Sequence, residues 1–221
     1  MSFSAVTTAL PACLALLIAT VASAGFEVLE AHGLASAQIG TDPAILDEDW
    51  SMPLEVSAFL GGPTGMVAGT GATFNIGTGF TGNTSAQVNA FSASPMLAAG
   101  TLMDFSFVVD SDVSAALAID MMLMSHGDAF GSVSVVIQDL TDDLTLLAWQ
   151  QSSGQASIES MLDLQEGHEY QFVASSQAGI ADGGTGSMSS KLFFQMLLPA
   201  PGAAALLTVA LCIPRGRRRR R

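Results

Sequence analysis

Hydrophobic and polar positions alternate with a period of two through most of the middle of this chain, and the 3.6-residue period of an amphipathic helix does not recur. Leu54, Val56, Ala58 and Leu60 alternate with Glu55, Ser57 and Phe59, and Phe74, Ile76 and Phe80 alternate with Asn75, Gly77 and Gly79. Each run predicts a half-buried strand. The same pattern runs through Met103, Phe105, Phe107 and Val109, then through Val113, Ala115, Leu117, Ile119, Met121 and Leu123, then through Val133, Val135 and Ile137. Further strands are predicted at residues 144–150, at 169–174 with Tyr170 and Phe172 inward, and at 191–198.

Turn residues punctuate these runs: Gly61-Gly62-Pro63, Asp139 to Asp143, Gly154, Glu166-Gly167 and Asp182-Gly183-Gly184. Residues 157–165 could form one or two helical turns. Residues 61–100, rich in Gly, Ser, Thr and Ala, could form long loops or flat strands with a weakly pinned register. Short strands, frequent turns and no long amphipathic helix predict an antiparallel β-sandwich of jelly-roll type over residues 25–198, with no internal linker. Leu162 to Tyr170 resembles the start of the penultimate strand in many exported sandwich domains, where a turn precedes an inward tyrosine.

The two ends have a different character, and the chain divides into residues 1–24, 25–198 and 199–221. Ala12 to Ala22 is an apolar run broken by Cys13 and Thr20, and Ala22-Ser23-Ala24 has the small-x-small pattern that signal peptidase accepts. The expectation is a cleaved signal helix with Gly25 as the first mature residue. At the other end, Pro199-Ala200-Pro201-Gly202 precedes an apolar stretch from Ala203 to Ile213. The chain then closes on Arg215, Arg217, Arg218, Arg219, Arg220 and Arg221.

This three-part tail resembles the sorting tail of the PEP-CTERM family in its Pro-Ala-Pro-Gly-Ala form, with Ala200 where the namesake motif has glutamate. The resemblance implies export and transient membrane anchoring through the hydrophobic C-terminal helix. It also implies processing near the proline motif by an exosortase-like transpeptidase, with the arginines as a stop-transfer signal. An arginine cluster does resist translocation. Leu197 to Ile213, at ~1.5 Å per residue, reaches about 25 Å, slightly short of a ~30 Å hydrocarbon core. A sortase substrate has the same layout, and an anchor that is never cut is the simplest alternative. The resemblance covers the tail alone, and the body resembles no family by its motifs. Cys13 and Cys212 both lie in the segments expected to be removed, so the mature body would have no disulfide.

Charge narrows the partners. All twenty carboxylates fall between Glu27 and Asp182, whereas residues 25–198 hold one cation, Lys191, for a formal charge of −19. Such a body repels phosphate backbones, so nucleic acid is excluded as a partner; cations, basic proteins and extracellular polysaccharide remain.

The motifs of hydrolases, phosphate loops and zinc proteases are absent from the sequence. Ser125-His126-Gly127-Asp128 has the residue types of a triad, but neighbours in sequence cannot form the attack geometry, and a polar turn explains them. The expectation is therefore a non-enzyme. Calcium is the one candidate cofactor, with Asp139, Asp142 and Asp143 clustered on one turn as its ligands. Asp110 and Asp112 form a second, sparser pair, and Asn83-Thr84-Ser85 fits a glycosylation sequon.

Two functions follow: an exported structural component of the cell surface or matrix, or a surface module that binds glycan or cations. An exposed aromatic platform would favour the second. Trp50, Trp149 and Tyr170 are the candidate rings, and core roles are the expectation for most of them.

Overall fold

The structure is a computed structural model that describes residues 25–42, 45–62, 67–76 and 79–198. The expected signal and tail helices, the cleavage residues Ala22 and Ala24, the sorting motif and the arginines lie outside these residues. Among the described residues no helix is long and apolar enough to cross a membrane.

Within residues 25–198 the described residues form twelve strands: β1 (Phe26–Ile39), β2 (Ile45–Asp49), β3 (Leu54–Gly61), β4 (Val67–Ile76), β5 (Gly79–Ala90), β6 (Leu97–Val109), β7 (Val113–Gly127), β8 (Ala129–Asp139), β9 (Leu144–Gln151), β10 (Gly154–Leu164), β11 (Glu169–Ile180) and β12 (Gly186–Leu197). They pair antiparallel in two six-stranded sheets. Sheet I has the order β2-β1-β6-β11-β8-β9 and sheet II the order β10-β7-β12-β5-β4-β3. The sheets face each other, with β11 packed on β5 and β12, so the body is an all-β, antiparallel β-sandwich.

Because successive side chains in a strand point to opposite faces, the apolar positions of each run end up together between the sheets. The middle of the core is aromatic. Phe80 lies 4.9 Å from Phe105, 5.5 Å from Phe107 and 5.7 Å from Phe172, all edge to face. Phe105 stacks on Phe172 at 5.0 Å. Burying each ring contributes about 1.5–3 kcal/mol, and such ring pairs add ~0.5–1.5 kcal/mol beyond their area. Gly82 sits in register between Phe74 and Phe194. A Cβ there would lie 2.3 Å from the Phe194 ring and 2.9 Å from the Thr73 carbonyl oxygen, so the missing side chain makes room for the ring.

Three local expectations are corrected. The alternation through Phe74, Ile76 and Phe80 is not one strand: β4 ends at Ile76 and β5 begins at Gly79. Residues 157–165 are not helical: 157–164 belong to β10, which runs antiparallel to β7 along eleven paired positions, and Gln165 follows its end. Among the described residues of 61–100, β4 and β5 are regular paired strands, pinned because Ala68, Ala72, Ala86, Val88 and Ala90 are all buried on one face. β1 and β2 were not anticipated. The core positions of β1 are small, Ala31, Gly33, Ala35 and Ala37, and carry little hydrophobic signal.

β2 also closes one side of the sandwich. Its Asp47 and Asp49 carboxylates accept the backbone N–H groups of Ser57 (2.7 Å) and Glu55 (3.1 Å) on edge strand β3. Edge donors satisfied in this way do not template pairing with another chain.

Candidate functional site

The outward positions of sheet II form two adjacent rows wherever four strands run side by side. Asn83, Phe193, Asp120 and Ser157 lie across β5, β12, β7 and β10, and the next row is Ser85, Lys191, Met122 and Gln155. Together they line an open groove of about 650 Å³. Phe193 must face out because Phe194 beside it faces in, and its ring remains 45% exposed.

The polar groups around that ring are held in place but not saturated. The Asn83 amide nitrogen donates to Thr73 Oγ1 at 2.6 Å, and Ser157 Oγ donates to Asp120 Oδ1 at 2.6 Å. This leaves the Asn83 carbonyl oxygen, Asp120 Oδ2 and the Gln155 amide to meet a ligand. Among the described residues the ion pairs join His168 to Asp139 and Asp142, so the Lys191 ammonium has no carboxylate partner within 4.0 Å. One cation and one carboxylate then leave the groove close to neutral, on a body whose formal charge is −19.

The aromatic candidates divide. Tyr170 is buried as expected, but Trp50 is 66% exposed and Trp149 is 43% exposed, which corrects their assignment to the core. Trp50 lies flat on His32, with ring centroids 4.0 Å apart and planes 16° apart, so one face is braced and the other is open. Beneath it His32 Nε2 is buried without a hydrogen-bond partner. Beside His32 in the register, the Asp104 carboxylate accepts the Gln171 amide at 2.9 and 3.1 Å.

The acidic turn is also partly rearranged relative to the expected calcium set. Asp139 and Asp142 come together with His168 rather than with Asp143, their ligand atoms lying within 4.8 Å of one another. Asp143 adopts a left-handed backbone, φ 54°, and its carboxylate accepts the Gln138 amide at 3.3 Å. Asp139 is buried, and both its oxygens are engaged. Oδ1 takes the N–H groups of Thr141 (2.9 Å) and Asp142 (3.1 Å), and Oδ2 lies 2.9 Å from His168 Nδ1.

Burial raises the Asp139 carboxyl, and the His168 hydrogen bond with the two backbone donors outweighs it, so the group titrates below its ordinary value. His168 is raised by its hydrogen bond to Asp139; burial opposes this, and the charges of Asp139, Asp142 and Asp112 reinforce it. These contacts fasten the β8–β9 turn to the start of β11. Calcium prefers an all-oxygen set and would have to displace them.

Asp110 is occupied differently again: its Oδ1 accepts the backbone N–H of Gly25 at 2.7 Å. Of Ser125 to Asp128, expected as a polar turn, the first three end β7, paired with β12, and Asp128 alone links β7 to β8; Gly127 there has φ 70°, and Asp128 Oδ2 accepts the Thr185 N–H at 3.1 Å.

No family model matches the chain, and no curated protein matches it. Among solved structures it is similar to a mutant of a family 29 carbohydrate-binding module at 12% identity and TM-score 0.23, covering 65% of this chain and 86% of that one. A family 11 carbohydrate-binding module from Clostridium thermocellum, in complex with a β-1,3-1,4-mixed-linked tetrasaccharide, is similar at 9% identity and TM-score 0.22, covering 73% and 95%. An isomalto-dextranase from Arthrobacter globiformis T6, complexed with panose, is similar at 12% identity and TM-score 0.21, covering 78% and 32%. Likenesses this remote carry no argument about what this chain binds.

Proposed function

We propose that residues 25–198 form a non-catalytic, saccharide-binding domain, exported to the cell surface or extracellular matrix and sorted there by the C-terminal tail. The observation that carries the binding role is the Phe193 ring, exposed in an open groove between Asn83 and Asp120, with Lys191 in the next row. A sugar ring has an apolar C–H face and a rim of hydroxyls. An exposed aromatic ring meets the first, and amide, carboxylate and ammonium groups meet the second.

The ligand class is a neutral glycan. Nineteen uncompensated carboxylates repel a polyanion at low ionic strength, and at ~0.15 M salt, with a Debye length of about 8 Å, one lysine offers little attraction beyond the groove. Export rests on the signal-like N-terminus with cleavage after Ala24, and sorting rests on Pro199 to Gly202 with the arginine run.

The jelly-roll reading of the sandwich is supported by its strand order. β5, β12, β7 and β10 adjoin in one sheet and β6, β11, β8 and β9 in the other; the path from β5 to β12 changes sheet at each step except the β8–β9 hairpin. β1 to β4 then extend this eight-stranded unit.

The test is affinity electrophoresis of residues 25–198 through gels containing mixed-linkage β-glucan, xyloglucan, glucomannan, dextran or alginate. Retention by a neutral glycan is expected, with affinity falling about tenfold in Phe193→Ala, equivalent to ~1.4 kcal/mol. Retention by alginate alone, or equal retention of the variant, would sink this reading.

A further inference from the structure

The opposite face of the sandwich carries a second groove. Across sheet I, Ser36, Gly100, Gln177 and Ser132 lie in one row on β1, β6, β11 and β8, and Gln38, Ala98, Gly179 and Phe130 lie in the next. The floor is low because Gly100 and Gly179 have no side chain and Ala98 has only a methyl. The walls are Gln38 on one side and Phe130 with Ser132 on the other. The space between them is about 440 Å³.

Phe130 is built into this groove rather than left over from the core. A Cβ on Gly179 would lie 2.7 Å from the Phe130 ring, so the glycine is what allows the ring to lie against β11. The ring's other face stays open, and the residue is 61% exposed. Gln177, also exposed, stands in the adjoining row on the same strand, two residues before Gly179.

None of the residues lining the groove is charged, although the body bears twenty carboxylates. Amides and hydroxyls offer both donors and acceptors, so the chemistry is again that of a neutral polyhydroxylated chain laid across an aromatic ring. The two grooves lie on the outward faces of different sheets, and packed sheets are about 10 Å apart with side chains projecting away on either side. A single saccharide occupying one groove therefore leaves the other free.

We propose that the groove lined by Phe130, Gln177 and Gln38 is a second binding site for neutral glycan, and that the domain bridges two polysaccharide chains. This rests on the reading that the Phe193 groove binds saccharide. Bridging turns a binding module into a cross-linker of a matrix, because two weak sites on one rigid body hold a network by multivalency without any new contact.

The experiment uses residues 25–198 with the neutral glycans named above, and it reads two quantities: retention in affinity gels, and light scattering of a high-molecular-weight glycan on adding protein. Four proteins are compared: wild type, Phe193→Ala, the pair Phe130→Ser with Gln177→Ala, and all three substitutions together. Because every altered residue is exposed, unchanged melting temperatures establish that each variant is folded.

Wild type is expected to be retained and to raise scattering. Each single-face variant should stay retained, about tenfold more weakly, while its scattering falls to that of the glycan alone; the triple variant should lose both. If the Phe130 and Gln177 pair scatters and binds like wild type, the second groove is refuted and the Phe193 reading stands. If no neutral glycan retains the wild type, both fall.

Discussion

Thr84 and Ser176 share a hydrogen bond of 2.7 Å across the middle of the sandwich, Thr84 on β5 of sheet II and Ser176 on β11 of sheet I, with both side chains fully buried. The bond ties the two sheets together at one defined point. Removing one partner leaves the other hydroxyl buried and unpaired, at a cost of about 1–3 kcal/mol. Ser176→Ala should therefore lower the melting temperature more than the double variant Thr84→Val with Ser176→Ala does. Equal destabilisation by the single and double variants in denaturant melts would count against a coupled pair.

Tyr170 is the inward tyrosine after a turn that the sequence anticipates, and its hydroxyl accepts the backbone N–H of Gln165 at 2.7 Å. Burial raises its pKa, and the Gln165 hydrogen bond opposes this. Tyr170→Phe keeps the ring and strands one part-buried N–H. The expected loss is roughly 1–2 kcal/mol, a fall in melting temperature of about 2–8 °C for a domain of this size. Differential scanning calorimetry would show it.

The Asp139–His168 pair gives stability a pH window. His168 is raised above its ordinary 6.5, so its contribution is fully present below that pH and is lost as pH climbs through the raised folded value. Asp139 is lowered below its ordinary 3.8, so its contribution is present above that pH and is lost as pH falls through the lowered folded value. Between these limits the pair contributes fully. The stability difference between wild type and His168→Gln should be largest from about pH 4 to pH 6.5 and should shrink above neutrality. A difference that grows with pH would contradict the assignment.

Calcium and simple salt make separable forecasts. A formal charge of −19 stores self-repulsion that any electrolyte relieves, and the Asp139 oxygens are already committed to His168 and two backbone donors. In melts at high monovalent salt, added calcium is expected to produce no further saturable rise. A saturable rise that disappears in Asp142→Ala with Asp143→Ala would instead establish a calcium site on this turn.

Cleavage after Ala24 would turn the Gly25 nitrogen, 2.7 Å from Asp110 Oδ1, into an ammonium facing a carboxylate. This contact is exposed, so the resulting ion pair is worth at most about 1 kcal/mol. Asp110→Asn should accordingly destabilise a protein beginning at Gly25 slightly more than one that retains residues upstream. N-terminal sequencing of exported material checks the cleavage itself, and a start away from Gly25 would remove the basis of this prediction.

The alternation of residues already determines much of this fold. It tells which side chains point inward, as at Phe105, Phe107, Ile119, Val135 and Phe172, because a strand allows only two faces and water decides between them. It even contains a trace of the groove: consecutive Phe193 and Phe194 cannot both point inward, so one aromatic ring must be exposed. It fails where the pattern is weak. β1 buries alanine and glycine rather than large residues, and β10 is an edge strand whose adjacent Met161 and Leu162 blur the alternation.

Tertiary structure alone decides which outward residues become neighbours. Asn83, Asp120, Ser157 and Phe193 share one row only because β5, β12, β7 and β10 pair in that order and register. Strand pairing likewise puts Gln38 and Phe130 in one row on the other face with Gln177 in the adjoining row, and the fold brings His168 beside Asp139. A period of two fixes the face of a side chain but not its partner. Partners are set by how six strands in each sheet slide against one another until the rings between them pack, and that is a property of the whole core.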